Sequence, residues 1–285
     1  MRDSGKVDGS AYGAASVPGS VIEIDLTDPV EEEESTPIAS EGRSNYGVDS
    51  PTVVFTFAAV GLVATVAGIV TAAGQGAVAA IGPFGAAVLC FAACAFMVRS
   101  SKVVKPRHWG EQLDRLGLRG SERALDVGCG RGLVAVELAK RLPDGEVVGI
   151  DVWRSRHQSG NSRANAERNL RLEGVEDRVE IVDGDALDLP FADGEFDVVT
   201  AGLVIHTLAL AADRRDAIHE IMRVTKPGGR IVVVDSGKTN EVKAWLAYDE
   251  WEDVTRTRPS FRSYPPVRTL TATKPRRRKG AKAAR

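Results

Sequence analysis

The stretch that most restricts the fold of this chain is Arg123 to Gly132, RALDVGCGRG. Its apolar residues predict a short buried strand, and the apolar run Leu133 to Leu142 predicts a helix directly after it. Glycine recurs at alternate positions of the turn between them, at Gly128, Gly130 and Gly132. Glycine permits positive φ and lets a ligand lie against the main chain, where a Cβ would block it. The pattern therefore predicts a ligand cradle between a strand and a helix.

The spacing of this turn favours one kind of ligand. A dinucleotide-binding turn, G-x-G-x-x-G, carries its third glycine where this sequence has Leu133. Asp126 lies just before the turn, where its carboxylate would repel a pyrophosphate and attract an ammonium group. Both features favour S-adenosylmethionine over a nicotinamide dinucleotide as the cofactor.

Two further carboxylates follow the next predicted strands. Glu146 to Asp151, EVVGID, predicts a buried strand that ends in an acid. In open α/β sheets an acid at this position accepts from ribose hydroxyls, so Asp151 is the expected ribose ligand, although it could also be an ordinary surface acid. Asp185 follows the predicted strand Val179 to Asp183 and is expected beside the adenine ring, where it can accept from the exocyclic amine.

The sequence pattern in the second half of the chain predicts the remaining strands of the sheet. Phe196 to Ala201 and Arg230 to Asp235 are predicted strands, separated by a helix from about Asp213 to Thr225 that KPGG, Lys226 to Gly229, should end. VTRTR and VRTLTAT then predict a closing antiparallel pair.

His206 follows the fourth predicted strand, at the end where ligands of such sheets bind. An imidazole can take a proton near neutral pH, so His206 is the candidate catalytic base, with a packing role or a contact that shapes the acceptor pocket as the alternatives. The three cysteines are an odd number without metal-like spacing, which favours a reducing compartment, and no metal site is expected.

The interval between Asp49 and Arg99 contains no charged residue. A membrane-spanning helix needs about 20 apolar residues, and residues 52–73 and 77–98 each meet this length, with Gly74 to Gly76 as the turn. The sequence therefore predicts a transmembrane hairpin rather than a buried soluble one, which would show a polar face. Small residues suited to close helix packing include Gly61, Ala64, Gly68, Gly82, Gly85 and Ala86.

Charge on either side of this interval predicts an orientation. Basic residues follow the second span at Arg99, Lys102, Lys105 and Arg107, which places that end on the cytoplasmic side. With two spans, the N-terminus lies on the same side. The predicted localisation is therefore a two-span membrane protein whose N-terminus and catalytic domain both face the cytoplasm.

Charge is also segregated at the two ends of the chain. Residues 1–50 carry three Lys and Arg against eleven Asp and Glu, whereas residues 268–285 carry eight basic residues and no acid. Residues 1–50 are therefore expected to be a disordered acidic region, and 276–285 a basic tail. The tail is either solvated or in contact with anionic lipid headgroups, and no nucleic acid partner is expected.

Residues from about 107 to 275 resemble the class I S-adenosylmethionine-dependent methyltransferases of the methyltransferase-11 kind, which include the ubiquinone and menaquinone methyltransferases. The matching pieces are LDVGCGRG, the acid that ends VVGID, GDALDLPFADGEFDVV, and KPGGRIVVVD. QSGNS, Gln158 to Ser162, and the closing PSFRSYPPVRTLTATKP further resemble a subgroup whose members often carry an N-terminal membrane segment.

This resemblance implies an α/β fold, a Rossmann-like seven-stranded sheet whose last strand is antiparallel, here preceded by the predicted hairpin. The cofactor-binding residues that it implies are Asp126, Gly128, Gly130, Gly132, Asp151, Asp185 and Ala186. The glycines would surround the methionine portion, Asp126 its ammonium, Asp151 the ribose, and the last two the adenine. Arg156 and His157 stand where the family has an acid before QSGNS, so the role of the loop 156–162 stays open.

The expected function is methyl transfer from S-adenosylmethionine to a small or lipophilic acceptor by a membrane-anchored enzyme. Two alternatives remain at this point. One is a tethered module that binds the cofactor without catalysis. The other, a nucleotide-dependent oxidoreductase, is disfavoured by Leu133 and by KPGG. The sequence predicts neither the acceptor atom nor the oligomeric state.

Overall fold

The computed structural model describes residues 42–154 and 158–276 of the chain. Its seven strands are β1 (Arg123–Val127), β2 (Glu146–Asp151), β3 (Val179–Asp183), β4 (Phe196–Gly202), β5 (Thr225–Asp235), β6 (Glu252–Arg256) and β7 (Arg268–Thr273). Its helices are α1 (Pro51–Gln75), α2 (Ala77–Arg99), α3 (Lys105–Asp114), α4 (Leu133–Ala139), α5 (Arg163–Glu173), α6 (Ala211–Val224) and α7 (Thr239–Tyr248).

The strands form one sheet in the order β3-β2-β1-β4-β5-β7-β6. The first five pair in parallel, β7 runs antiparallel to β5, and β6 runs antiparallel to β7. The predicted seven-stranded sheet with an antiparallel last strand is therefore confirmed. The carboxyl ends of β1, β2 and β4 lie side by side because these strands are parallel neighbours.

The core lies on both faces of this sheet, as the apolar strand sequences require. On one face, α4 and α5 pack with Leu138 and Leu170, and on the other, α6 and α7 pack with Ile218 and Leu246. Burial on both faces explains why β1 and β2 are apolar without alternation. It also holds the carboxyl ends of these strands, and the residues that follow them, in fixed positions.

The prediction that KPGG lies between α6 and a strand is wrong. α6 ends at Val224 and β5 begins at Thr225, so Lys226 to Gly229 belong to the strand. Backbone bonds with Lys274 explain this extension, because Gly228 N donates to Lys274 O (2.8 Å) and Lys274 N donates to Gly229 O (2.8 Å). Pairing beyond the end of β7 thus outweighs the turn preference of Pro and Gly.

The helix that precedes β1 follows the hairpin without a break. A π-helical turn, Ser100–Val104, joins α2 directly to α3, which therefore begins at Lys105 and ends at Asp114. Because the backbone stays helical through this turn, the base of the hairpin continues into the domain without a loop.

The hairpin itself agrees closely with its predicted bounds, although α1 extends to Gln75 and leaves Gly76 alone between the helices. Gly61 and Gly68 are buried, and a Cβ on Gly68 would lie 2.8 Å from the Phe84 ring. Added Cβ atoms at Gly82 and Gly85 would meet open space, so those two glycines do not mediate helix packing. Two helices, Pro51–Gln75 and Ile81–Asp114, are long and apolar enough to cross a membrane by length and composition.

Residues 42–50, which were grouped with the disordered region, instead lie on the domain. Val48 N donates to Ser159 Oγ (2.8 Å), and Ser159 N donates to Val48 O (3.1 Å). Asn45 N donates to Asn169 Oδ1 (2.9 Å), and Asn169 Nδ2 donates to Asn45 O (3.1 Å). The expectations for residues 1–41, for Arg156 and His157, and for 277–285 of the basic tail lie outside the described residues.

Candidate active site

The glycine turn between β1 and α4 has the geometry that its sequence predicts. Gly128, Gly130 and Gly132 have φ of 69°, 55° and 81°, which side chains rarely adopt. A Cβ on Gly128 would lie 2.2 Å from Val204 Cγ2, and one on Gly130 would lie 2.5 Å from Gln158 Oε1. The side chains of Val204 and Gln158 therefore lie directly against the main chain of the turn, which residues with a Cβ would not permit.

Asp151 lies at the end of β2, beside this turn, and is buried. Its Oδ2 accepts from Gly130 N (2.8 Å), and its Oδ1 accepts from Trp153 N (2.6 Å) and Asn161 Nδ2 (3.2 Å). A carboxylate offers about four acceptor positions, so these three donors hold it in place and leave room for a further one. It borders a cleft that lies along the carboxyl ends of β1, β2 and β4, where its oxygens can meet a ligand hydroxyl.

Asp126 lies behind the turn rather than on its open side, and it is fully buried. Burial, together with the neighbouring Asp151 charge, raises the pKa of Asp126 to about 7, although the hydrogen bond from Thr200 lowers it. Thr200 Oγ1 donates to Asp126 Oδ1 at 2.8 Å, whereas Asp126 Oδ2 has no partner. An unpaired buried oxygen of this kind suits a cationic or hydrogen-bond-donating neighbour.

The ends of β3 and β4 complete the same side of the cleft. Asp185 and Ala186 follow β3 and line the cleft, and Asp185 Oδ1 accepts from Leu187 N (3.1 Å). Leu203 and Val204 follow β4 and form the floor opposite Gly128. Gly132 and Asp126 do not line the cleft. Gly132 would therefore act by shaping the turn, and Asp126 by its electrostatic field behind the turn.

His206 also lines the cleft, and the structure adds a partner that the sequence did not identify. His206 Nδ1 lies 2.9 Å from Asp235 Oδ1, and the backbone N of His206 donates to Asp235 Oδ2 (3.3 Å). Asp235 ends β5 and has no exposed side-chain surface, whereas a third of the His206 side chain is exposed. The acid at the end of RIVVVD was the signal that could have identified it, since Asp151 ends β2 in the same way.

The opposite wall of the cleft is built by the base of the hairpin. Asp49, Ser50, Lys105 and Trp109 line it, together with Pro265 from the loop before β7. Lys105 Nζ bonds Asp49 Oδ1 (3.0 Å), and both side chains are largely buried. No local sequence pattern indicates this wall, because its residues come from three distant parts of the chain.

Among the described residues, no group of three or more His, Cys, Asp or Glu is placed to hold a metal ion. Burial raises the pKa of the Cys129 thiol, which therefore stays neutral at physiological pH.

The comparisons with known proteins agree with this geometry. Residues 125–233 match the family model described as a methyltransferase domain. The chain is 34% identical over 162 residues to the ubiquinone/menaquinone biosynthesis C-methyltransferase UbiE of Dinoroseobacter shibae, a match covering 56% of this chain and 58% of that protein. It is 35% identical over 137 residues to the demethylmenaquinone methyltransferase of Lactiplantibacillus plantarum, covering 47% and 54%.

Among solved structures, the chain is similar to the cyclase SpnF, with a TM-score of 0.52 and 22% identity over 62% of this chain and 84% of that chain. This likeness concerns the fold alone. Residues 125–233 are therefore similar to methyltransferase domains, and they lie within the seven-stranded sheet described above. The chain spans little more than half the length of the two curated relatives, which carry quinone-biosynthesis names.

The residues of the cleft fit S-adenosylmethionine. Gly128 and Gly130 keep the main chain of the turn free of Cβ atoms, Asp151 offers carboxylate oxygens at its edge, and the unpaired Asp126 Oδ2 lies behind it. Asp185 and Ala186 lie one strand further along the same sheet edge. The order of these groups follows the order of methionine, ribose and adenine in the cofactor.

Proposed function

We propose that the chain is a membrane-anchored methyltransferase that transfers the methyl group of S-adenosylmethionine to a small lipophilic acceptor. The observation that carries this proposal is the composition of the cleft. One wall consists of the strand-end residues around Gly128 and Asp151. The other contains Ser50 and Lys105, which flank the apolar hairpin on its two sides. The acceptor would then meet the cofactor where the hairpin joins the domain.

The cofactor supplies a methyl group that is already activated by a sulfonium centre. The task of the protein is therefore to align two reactants and keep them in contact. In this proposal Asp151 binds the ribose hydroxyls, Asp185 and Ala186 border the adenine, and the glycine turn accommodates the methionine portion. Asp126 lies behind the turn, where the positive charge of the cofactor's ammonium group would favour its ionised form.

His206 is proposed as the base for an acceptor that arrives protonated. Asp235 at 2.9 Å favours the tautomer with its proton on Nδ1, because a carboxylate accepts that hydrogen bond. Nε2 then carries the lone pair and can take the acceptor's proton as the carbon or oxygen nucleophile attacks the methyl group. Asp235 is a positioning residue in this scheme, since it acts through His206.

The surface of the hairpin supports a membrane location and a lipophilic acceptor. Large apolar side chains point outward, including Phe55 (73% exposed), Val63 (69%) and Leu89 (72%). Only 11% of the most apolar 18-residue stretch of each candidate span is buried, whereas the core helix of a soluble protein is mostly buried. Arg99 and Lys102 at the base favour the cytoplasmic side for the domain. The names of the curated relatives point to quinone-type acceptors.

The test is a transfer assay with full-length protein in detergent or native membranes. Methyl-labelled S-adenosylmethionine would be supplied with a lipid extract and, separately, with demethylmenaquinone, and Asp151→Ala would serve as the control. The proposal predicts label in an organic-phase product with the wild type and its loss with Asp151→Ala. Label that appears only in water-soluble products would contradict the lipophilic acceptor, and the absence of any labelled product would contradict the enzymatic role.

A further inference from the structure

Every backbone N–H of the glycine turn is already bonded inside the protein. Gly128 N and Cys129 N donate to Ile150 O (2.8 and 3.1 Å), and Gly132 N donates to Cys129 O (2.9 Å). Gly130 N donates to Asp151 Oδ2 (2.8 Å). The remaining one, Arg131 N, donates to the side-chain Oε1 of Gln158 (3.2 Å). A cofactor whose methionine portion lies at this turn therefore needs one of these acceptors to leave.

Gln158 is the acceptor that lies within the cradle itself. Its Oε1 is 2.5 Å from the position that a Cβ on Gly130 would occupy, and its side chain lines the cleft. The other end of its amide, Nε2, donates to Tyr46 O (3.0 Å). The side chain thus bridges the glycine turn and the 43–50 segment, which runs along this side of the domain.

The other acceptors are much harder to move. Ile150 O belongs to β2, and Cys129 O belongs to the turn itself, so their release would disturb the sheet or the turn. Asp151 is held by three donors at once. Gln158 can leave by rotation of its side chain, while Ser159 keeps the 43–50 segment in place through two hydrogen bonds with Val48, one from its backbone N and one to its hydroxyl.

We propose that Gln158 is an internal competitor for the cofactor: its amide oxygen holds the position at Arg131 N that the carboxylate of S-adenosylmethionine takes on binding. This inference rests on the proposed function and adds a residue to its cofactor site. The exchange is favourable because a carboxylate is a stronger acceptor than a neutral amide. Its consequence is that removal of Gln158 strengthens cofactor binding, whereas removal of an ordinary contact residue would weaken it.

The experiment measures the dissociation constant of S-adenosylmethionine by titration calorimetry with the full chain in detergent. Gln158→Ala is expected to lower it about 2- to 10-fold, the range of one neutral hydrogen bond. Gln158→Met, which keeps the length of the side chain and removes the acceptor, should change it in the same direction and serves if the alanine variant does not fold. Gln75→Ala is the matched control, because Gln75 is exposed at the distal end of α1.

A second ligand tests whether the cofactor's carboxylate is the group that competes with Gln158. Decarboxylated S-adenosylmethionine lacks the competing group, so the gain from Gln158→Ala should disappear with it. Equal or weaker binding of S-adenosylmethionine by both Gln158 variants would overturn the inference while leaving the cofactor site intact, as would an equal gain with the decarboxylated ligand. Failure of the wild type and every variant to bind would overturn the proposed function together with this inference.

Discussion

The two walls of the cleft are built in different ways. The cofactor wall comes from consecutive strand ends, so its glycines and Asp151 are fixed by the sheet and its buried core. The opposite wall comes from Asp49, Lys105 and Pro265, which are far apart in sequence, and an ion pair joins Asp49 to Lys105. In the proposed function, the rigid wall binds the cofactor and the wall of separate segments meets the acceptor. This contrast leads to four predictions.

The largest effect is expected on the cofactor wall, at Gly128. Gly128→Ala would place a Cβ 2.2 Å from Val204 Cγ2 at a φ of 69°. Valine is stiff at χ1, so we expect a loss of about 2–4 kcal/mol in the free energy of unfolding and no measurable cofactor binding. Thermal unfolding and calorimetric titration would check both.

The matched control for this prediction is Gly117→Ala. Gly117 also has positive φ, at 59°, but nothing lies within 4 Å of its added Cβ. Strain alone should cost about 1 kcal/mol there and leave cofactor binding unchanged. Similar losses at both positions would show that the close approach at Gly128 is unimportant.

The next largest effect is expected at His206, which follows β4 and is held by Asp235 at the end of β5. His206→Gln should lower kcat about 100-fold for an acceptor that must lose a proton, because the variant removes the base. Asp235→Asn should lower it by a smaller factor, since His206 remains but loses its orienting carboxylate. Single-turnover rates with the labelled acceptor would measure this. Unchanged rates together with unchanged cofactor affinity would assign His206 a packing role.

Asp126 should make stability depend on pH in an unusual direction. Its pKa is about 7 in the folded protein against 3.8 for a free aspartate, so between these pH values the folded state keeps a proton that the unfolded state has released. The free energy of unfolding should therefore fall as pH rises, by up to about 1.4 kcal/mol per pH unit from this group. Asp126→Asn should remove that component. The difference between wild type and variant in thermal unfolding at pH 5 and pH 7 measures it, and a constant difference would contradict the buried carboxyl.

The smallest effect is expected for the ion pair at the base of the hairpin. Asp49→Asn removes the charge that faces Lys105 but keeps a side chain that can bond Ser101 Oγ. We expect a loss of about 1–2 kcal/mol, since the pair is largely but not fully buried. Cofactor affinity should change less than the KM of the acceptor, and the reverse order would place Asp49 on the cofactor side.

The same contrast explains what could be predicted from the sequence. The β-strands, the glycine turn and Asp151 could be predicted from local sequence, because the residues that end each strand directly follow its apolar run. KPGG was misplaced because pairing with Lys274 is a long-range contact. Asp49, Trp109 and Pro265 could not be predicted as neighbours, since only the packing of the hairpin base on the domain brings them together. Asp235 could have been found from its position at the end of β5.

The most direct test of the account is whether the full chain binds S-adenosylmethionine through the carboxylate that ends β2. Calorimetric titration of the folded protein should give one binding site per chain, and Asp151→Asn should weaken it at least tenfold by replacing an acceptor for the ribose hydroxyls with an amide. A folded wild-type protein that releases no binding heat at millimolar S-adenosylmethionine, or an Asp151→Asn variant that binds equally well, would contradict it.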